Sequence, residues 1–232
     1  MKFGNLVFGT APKIVLSLSE AVFPLYQKRS CPFDIVEMRI DLFNQPDSDL
    51  LHFIDSFTGF PTIATIRSKS EGGQWGLSEL KRLSLFRKIM PIVSAVDIEL
   101  SSKAILKEVV DCAHHADKKV IVSYHDFDQT LSRRKLDQIF NQAKRAGADI
   151  VKVAAFAKRD RDIRRLAEFT LAHADGDVVT IGMGEKGALS RLFFPALGSL
   201  FTYGYMGKQT APGQMDCKEL SALMKRFYPK SS

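Results

Sequence analysis

One lysine in an apolar segment and one histidine at the end of another are the residues of this chain best suited to chemistry. Lys152 lies in Asp149-Ile150-Val151-Lys152-Val153-Ala154-Ala155, which otherwise resembles a buried strand, and His125 ends Val120-Ile121-Val122-Ser123-Tyr124-His125. Because burial disfavours the ammonium form, a buried lysine can act as an amine nucleophile toward a carbonyl carbon. The alternative is a strand-end lysine that only extends its amine to solvent.

Further ionisable side chains recur two residues apart on neighbouring apolar segments. Successive side chains on a strand point to opposite faces, so residues two apart share a face. Three candidate strands carry such sets toward their carboxyl ends: Glu37, Arg39 and Asp41; Thr65 and Arg67; Asp97 and Glu99. Asp97 and Glu99 could equally belong to a structural salt bridge. The whole set is harder to explain in that way, because burying so many charges without a function is costly.

The segment after Arg67 supplies a further acid. Glu71 stands directly before Gly72-Gly73, and an acid at such a tight turn could orient His125. Paired glycines by themselves are more typical of a turn than of a functional site.

Two polar motifs lie near the C-terminus, Ser190-Arg191 and Gln209-Thr210-Ala211-Pro212-Gly213-Gln214. Arginine binds carboxylates through a bidentate fork, and the side chains of Thr210 and Gln214 can hydrogen-bond hydroxyl groups. These motifs are therefore candidate binding residues for a small anion that carries hydroxyls.

Apolar, β-branched segments of strand length alternate with amphipathic segments of helix length along the chain. The predicted strands are residues 13–18, 34–41, 62–67, 95–100, 119–125, 149–154, 177–182 and 199–205. The predicted helices are residues 19–28, 47–57, 78–90, 101–116, 130–146, 158–174, 186–193 and 215–227. This pattern predicts an α/β protein, a (β/α)8 TIM barrel that forms one domain over residues 1–232. The first dozen residues are expected to form a β-hairpin that closes the bottom of the barrel.

A barrel gives the polar residues a common location. His125 ends the fifth predicted strand, Lys152 lies late in the sixth, and Gly182-Met183-Gly184 ends the seventh. Together with the sets on strands two to four, they converge on the carboxyl rim, where the active sites of such barrels lie. We therefore expect an enzyme whose site lies at that rim.

The composition argues against several other classes of protein. The net charge is +7, but the basic runs, including Lys81-Arg82, are dispersed over predicted helices and interleaved with acids, which favours solvent-exposed helix faces over a nucleic-acid site. The three cysteines show no disulfide or metal spacing, and no apolar run suits a signal peptide or a membrane span. We expect a cytoplasmic protein with no nucleic-acid or membrane partner.

In their order and spacing, these motifs resemble those of the type I 3-dehydroquinate dehydratases over nearly the whole chain. These enzymes of the shikimate pathway are (β/α)8 barrels that form a Schiff base with their substrate. Two positions depart from the family pattern, since Met38 stands where an aromatic residue is common and Thr210 where serine is common. The resemblance is carried by Glu37-Met38-Arg39-Ile40-Asp41, Thr65-Ile66-Arg67 with Glu71-Gly72-Gly73, Asp97-Ile98-Glu99, Ser123-Tyr124-His125-Asp126-Phe127, Val151-Lys152-Val153-Ala154, Met183-Gly184 with Ser190-Arg191, and Ala211-Pro212-Gly213-Gln214.

The resemblance implies a role for each candidate residue. Lys152 would form an imine with the C3 ketone of 3-dehydroquinate, and His125, oriented by Glu71, would remove the C2 proton and assist loss of the C1 hydroxyl. The product would be 3-dehydroshikimate plus water, with no metal ion and no diffusible cofactor. The remaining candidates would bind the substrate, its carboxylate through Arg191 and Thr210 and its hydroxyls through Glu37, Arg39, Arg67 and Gln214.

The resemblance also implies a homodimer and, in some lineages, fusion to a shikimate dehydrogenase domain. Two other functions are weighed against it. A class I aldolase would also use a lysine on the sixth strand, and Gly182-Met183-Gly184 and Gly204-Tyr205-Met206-Gly207 are suited to a phosphate site, but the Glu71 loop and residues 211–214 argue against this enzyme. A binding scaffold without activity would be expected to have lost Lys152 or His125.

Overall fold

A computed structural model of the chain describes residues 2–4, 6–8, 12–19, 32–44, 47–57, 59–207, 209 and 211–229. Within these residues, the first two strands are β1 (Lys2–Phe3) and β2 (Leu6–Val7). The eight strands that form the wall of a barrel are β3 (Lys13–Leu18), β4 (Ile35–Arg39), β5 (Thr62–Thr65), β6 (Ala95–Glu99), β7 (Lys119–Asp126), β8 (Ile150–Phe156), β9 (Val178–Met183) and β10 (Phe201–Tyr205), and the short β11 (Met215–Asp216) follows them.

The helices of the described residues follow the barrel strands. They are α1 (Asp47–Asp55), α2 (Glu79–Ile89), α3 (Leu106–His115), α4 (Arg133–Arg145), α5 (Asp160–Ala172), α6 (Ala188–Phe193) and α7 (Cys217–Phe227). Ser78, Ser132 and Asp216 cap three of them, because each side-chain oxygen accepts a hydrogen bond from a backbone N–H of the first turn. None of the described helices is both long enough and apolar enough to cross a membrane.

The barrel strands follow one another in chain order. β10 pairs with β3, and each strand from β3 to β8 pairs in parallel with the next one. The ladder is open between β9 and β10, where β11 pairs with β10 and the backbone N–H of Leu200 donates to the carbonyl of Val178 at 3.0 Å. The structure thus confirms the predicted (β/α)8 barrel and adds a seam between its seventh and eighth strands.

The strands are buried on both faces. Inward side chains such as Val15, Ile63 and Val179 form a core inside the barrel, and outward ones pack against apolar helix residues such as Phe86 and Phe169. Burial on both faces explains why these strands have nearly continuous β-branched sequences instead of an alternating pattern. The buried charged residues within them, such as Glu37, Asp97 and Lys152, are exceptions to that pattern.

A hairpin closes the amino-terminal end of the barrel, as predicted. β1 and β2 pair in antiparallel fashion, and Phe3 and Phe8 next to them are buried in the interior core. The Phe8 ring lies 6.0 Å from that of Phe201, which begins β10. The aromatic side chains therefore fill the bottom of the barrel and leave its carboxyl end as the accessible one.

The element boundaries differ from the predicted ones by a few residues for local reasons. The strand predicted over residues 34–41 ends at Arg39, because Ile40–Leu42 forms a 3-10 turn. The helix predicted over residues 101–116 begins only at Leu106, because the preceding residues form turns whose serine side chains bind carboxylates of the barrel. The helix predicted over residues 19–28 lies outside the described residues except for Ser19.

The prediction that Lys81-Arg82 lies on an exposed helix face is wrong for Arg82. Lys81 is exposed, but the Arg82 side chain is 0% exposed. Arg82 precedes Phe86 and Ile89 by four and seven residues on α2, so all three occupy the face that packs on the barrel. A carboxylate inside the wall, Glu99, forms an ion pair with Arg82 and makes this burial possible.

Candidate active site

The ionisable residues predicted for the site meet in one pocket at the carboxyl end of the barrel. Its lining includes Glu37, Arg39, Arg67, Glu71, His125, Lys152, Arg191 and Gln214. Thr210, the remaining predicted residue, lies outside the described residues. Apolar and aromatic side chains complete the lining: Phe127, Ala154, Ile181, Met183 and Tyr203.

Lys152 projects from the middle of β8 into the barrel. Its Nζ lies 2.5 Å from Oδ2 of Asp97 and 3.6 Å from Oε1 of Glu37, and its side chain is 5% exposed. Of the two sequence-based alternatives, the lysine that extends to solvent is therefore excluded. The amine is held between two carboxylates at the floor of the pocket.

Both carboxylates are fixed by other residues of the barrel wall. Arg67 donates from Nη2 to Asp97 at 2.8 Å and from Nη1 to Glu99 at 3.0 Å. Glu37 accepts hydrogen bonds from Ser17 and Thr65, each at 2.9 Å. Burial raises the pKa of a carboxyl group, but Arg67 and Lys152 outweigh this effect and hold the pKa of Asp97 well below its usual range. Asp97 therefore stays ionised beside the amine.

The same network passes through the wall to α2. Glu99 forms an ion pair with Arg82 through its second oxygen, which also accepts a hydrogen bond from Ser102 at 2.9 Å. Both Asp97 and Glu99 thus take part in buried salt bridges, as expected if the two acids only stabilise the fold. Asp97, however, also contacts Lys152. The functional interpretation therefore fits Asp97, which contacts Lys152, and the structural interpretation fits Glu99, which pairs with Arg82.

His125 lies at the carboxyl end of β7 and is oriented by Glu71. Oε2 of Glu71 lies 2.9 Å from Nδ1 of the imidazole and also accepts the backbone N–H of His125 at 2.9 Å. The other oxygen, Oε1, accepts a hydrogen bond from Ser101 at 2.5 Å. With Nδ1 occupied in this way, Nε2 is the ring nitrogen left to act on a bound molecule.

Protonation in this pair is set mainly by burial. Burial raises the pKa of Glu71 to about 7. Burial, followed by the charges of Arg67 and Lys152, lowers the pKa of His125 well below its usual value. The imidazole is therefore neutral near pH 7, which suits a general base.

The paired glycines after Glu71 are needed for close packing. Gly72 has a φ of +79°, and a Cβ there would lie 2.4 Å from the ring of Phe127. A Cβ on Gly73 would lie 2.1 Å from the carbonyl oxygen of Arg67. The turn that positions Glu71 can therefore form only with glycine at these positions.

Arg191, on α6, is a buried cation of a different kind. Its guanidinium donates to the carbonyl oxygens of Gly213 at 2.8 Å, Pro212 at 3.3 Å and Tyr203 at 3.4 Å. Within the described residues, it forms no ion pair with a carboxylate, and burial lowers its pKa to about 10. The guanidinium remains charged and lines the pocket without a counter-charge, which suits an anionic ligand.

Comparison with known proteins decides between the remaining functions. The model of the family described as type I 3-dehydroquinase matches residues 16–230. The 3-dehydroquinate dehydratase of Methanococcoides burtonii is 35% identical over 97% of this chain and 98% of its own length. That of Methanocella arvoryzae is 41% identical over 81% of this chain and 84% of its own length.

The chain belongs to the type I 3-dehydroquinase family.

Solved structures of the family share the fold of this member. The 3-dehydroquinate dehydratase of Geobacillus kaustophilus has a TM-score of 0.89 and 27% identity, covering 99% of this chain and 97% of that one. The type I enzyme of Clostridium difficile, solved with covalently modified comenic acid, has a TM-score of 0.88 and 26% identity, covering 100% of this chain and 98% of that one. The predicted enzyme class, a type I 3-dehydroquinate dehydratase, is confirmed, and the aldolase and scaffold alternatives are set aside. The predicted homodimer, fusion and cytoplasmic location stay predictions.

Two residues of this family member were not predicted: Arg82, which supports the site from outside the pocket, and Tyr203, which lines the pocket. Arg82 could have been found, because helical periodicity places it on the same face as Phe86 and a cation on a core-facing position implies a buried partner. Tyr203 of β10 lies among aromatic residues, which favours a purely apolar role. In the pocket its hydroxyl lies 3.4 Å from Nζ of Lys152.

Two binding candidates are held by backbone and loop contacts. Arg39 forms a fork with Asp41, with distances of 2.9 and 2.7 Å, and Asp41 also accepts the backbone N–H of Gln74 at 3.1 Å. Gln214 accepts the backbone N–H of Ala211 at 3.1 Å. The two loops at the pocket mouth are thus tied to polar side chains that line it.

Proposed function

We propose that this protein eliminates water from 3-dehydroquinate, a shikimate-pathway substrate, and forms 3-dehydroshikimate through an imine on Lys152. One observation carries the proposal: a single pocket brings together a buried amine, a neutral imidazole and a guanidinium without a counter-charge. A ketone that bears a carboxylate matches all three groups. The names of the relatives point to the same substrate.

Imine formation begins when the ammonium of Lys152 gives one proton to the neutral imidazole of His125 and the resulting amine attacks the C3 ketone. The nitrogen bonds to carbon, the carbonyl oxygen leaves as water, and the resulting iminium withdraws electrons from C2. Asp97, at 2.5 Å, and Glu37, at 3.6 Å, stabilise positive charge on that nitrogen. The carboxylates therefore support the iminium as well as the resting ammonium.

Elimination follows at the two neighbouring carbons. Nε2 of His125 takes the C2 proton, the electron pair moves toward the iminium, and the enamine then expels the C1 hydroxyl, which leaves as water with a proton from the imidazolium. Glu71 holds the ring and stabilises the imidazolium through Nδ1, 2.9 Å away. Addition of water to the product imine restores the Lys152 amine and releases the enone.

Binding is assigned to the rest of the pocket. Arg191 would pair with the substrate carboxylate, because its guanidinium has no carboxylate partner within the described residues. Thr210, which follows Gln209 in the sequence, is proposed to assist at the carboxylate. Polar groups elsewhere in the lining are proposed to hold the hydroxyls: Glu37, Arg39, Arg67 and Gln214.

Borohydride trapping tests the proposal directly. Reduction in the presence of 3-dehydroquinate should attach substrate-derived mass to the peptide that contains Lys152, and the enone product should absorb in the ultraviolet without borohydride. The His125→Ala variant should still form the adduct but should not form product at an appreciable rate. A folded wild-type protein that gives neither adduct nor product would overturn the proposed function.

A further inference from the structure

The hydroxyl of Tyr203 is the polar group nearest to Lys152 on the β10 side of the pocket. Its Oη lies 3.4 Å from Nζ of Lys152, whereas the centre of its ring lies 4.9 Å away. Tyr203 as a whole is 4% exposed and lines the pocket. The contact between the two residues is therefore made by the hydroxyl more than by the ring face.

The proton of this hydroxyl is available to a bound molecule. An ammonium group has no lone pair, so the hydroxyl accepts the hydrogen bond from Lys152 and cannot donate back to it. Within the described residues, no acceptor pairs with the hydroxyl proton. Burial, together with the nearby carboxylates Glu37 and Asp97, raises the pKa of Tyr203 well above its usual value, so the group keeps its proton.

Tyr203 and His125 belong to strands that lie on opposite sides of β8, the strand of Lys152. His125 belongs to β7, which pairs with one edge of β8, and Tyr203 belongs to β10, which lies beyond the other edge past β9. Both side chains line the same pocket as Lys152, and they come from different parts of the barrel wall. A division of work between the two residues is consistent with this arrangement.

We propose that Tyr203 is a catalytic residue of imine formation, whose hydroxyl donates a hydrogen bond to the C3 oxygen of the substrate while Lys152 attacks. The proposal rests on the proposed function, because it assigns a role within the imine step. The attacked carbon becomes bonded to Nζ, so its oxygen comes within reach of a hydroxyl that lies 3.4 Å from that nitrogen. A hydrogen bond there stabilises negative charge that develops only during attack.

The step balances without loss of the tyrosine proton. The C–N bond forms, the C=O π pair moves to oxygen, and one proton passes from nitrogen to oxygen to give a neutral carbinolamine. The C–O bond then breaks, and the departing oxygen takes a second proton from His125, which holds the proton that the Lys152 ammonium gave up before attack. Water and an iminium result, and the imidazole is neutral again. Tyr203 holds the oxygen through both events and keeps its own proton.

The Tyr203→Phe variant, measured by rapid quenching with borohydride, tests this role. We expect imine formation to slow by about 100-fold, the usual effect of removing one donor of this kind. Because that step then limits turnover, the isotope effect from deuterium at C2 should fall toward one. Tyr124→Phe is the matched control, since it removes a hydroxyl that bonds Asp126 at 3.2 Å, and it should trap at the wild-type rate.

A second variant separates chemistry from packing. Tyr203→His carries a ring N–H near the same point and should recover part of the lost rate, while a Tyr203→Phe protein with an unchanged melting temperature shows that the fold is intact. Equal trapping rates for wild type and Tyr203→Phe, or for the Phe and His variants, would overturn the role of Tyr203 and leave the Lys152 mechanism standing. Absence of any wild-type adduct would instead overturn the mechanism itself.

Discussion

Two buried cations line the same pocket, and their surroundings are opposite. Lys152 lies within 4 Å of two carboxylates, Asp97 and Glu37. The hydrogen bonds of Arg191 among the described residues all go to carbonyl oxygens, and no carboxylate there offsets its positive charge. Both side chains are nearly inaccessible to solvent, so the difference is not one of exposure.

The difference separates reaction from binding. A buried charge without a partner costs free energy, and this cost is recovered when an anion binds. At Lys152 the counter-charges belong to the protein, because positive charge must persist there through the iminium stage. At Arg191 the counter-charge is left for the substrate to supply. The comparison predicts that changes at the two positions will alter different kinetic constants.

The largest effect is expected at the reacting cation. Lys152→Met should lower turnover by at least about 10⁵-fold, because Lys152 is the only lysine among the described residues that line the pocket. The enone absorbance measures the rate, and Lys158→Met, which changes an exposed lysine six residues later, is the control. A Lys152→Met protein that keeps more than about one hundredth of the wild-type rate would contradict the nucleophile assignment.

Loss of the binding cation should act mainly through KM. Arg191→Gln removes the charge that faces the substrate carboxylate, at an expected cost of about 2 to 5 kcal/mol, or roughly 30- to 5000-fold in kcat/KM. Arg87→Gln, at a surface arginine paired with Glu108, should have little effect. The substrate methyl ester sharpens the comparison, because it should bind wild type and Arg191→Gln about equally. A normal KM in the variant would refute the role.

Arg82 offers a third buried cation, paired but outside the pocket. Arg82→Met should lower the free energy of unfolding by about 3 kcal/mol, since it leaves Glu99 with fewer partners, and should change KM by less than about tenfold. Denaturant unfolding measures the first quantity, and Lys81→Met, at the exposed neighbour, is the control. If Arg82→Met changed KM as much as Arg191→Gln, a carboxylate partner would not distinguish a structural cation from a binding one.

The smallest predicted effect is a dependence of kcat/KM on pH that arises in the pair of Glu71 and His125. As the pH falls through about 7, the pKa of Glu71, this carboxyl takes up a proton and can donate it to Nδ1, which moves the ring proton to Nε2 and removes the lone pair that acts as base. We expect kcat/KM to fall about tenfold per pH unit below that value. In Glu71→Gln this acid limb should move away from pH 7. An unchanged limb would assign it to another group.

The barrel and most of the site were predictable because their signals are local. Strand order follows from alternating apolar and amphipathic segments, and spacing by two placed Glu37, Arg39 and Arg67 on inward faces. Tyr203 was missed because a buried tyrosine in a strand has the same local signal whether or not its hydroxyl meets a lysine. That Arg191 has no carboxylate partner among the described residues could not be predicted either. It depends on which residues, distant in the sequence, pack around the guanidinium. Boundaries shifted where serine side chains formed turns, as before α3.

The hairpin that fills the amino-terminal end of the barrel affects how substrate enters the pocket and how product leaves it. With Phe3 and Phe8 packed across that end, the described residues leave the carboxyl end as the common opening for substrate, product and the water released and taken up in each cycle. A product molecule that has not yet left therefore occupies the route of the next substrate. Inhibition by product should be competitive with substrate. At high conversion, the rate of turnover should depend on how fast product leaves and substrate enters at the carboxyl end.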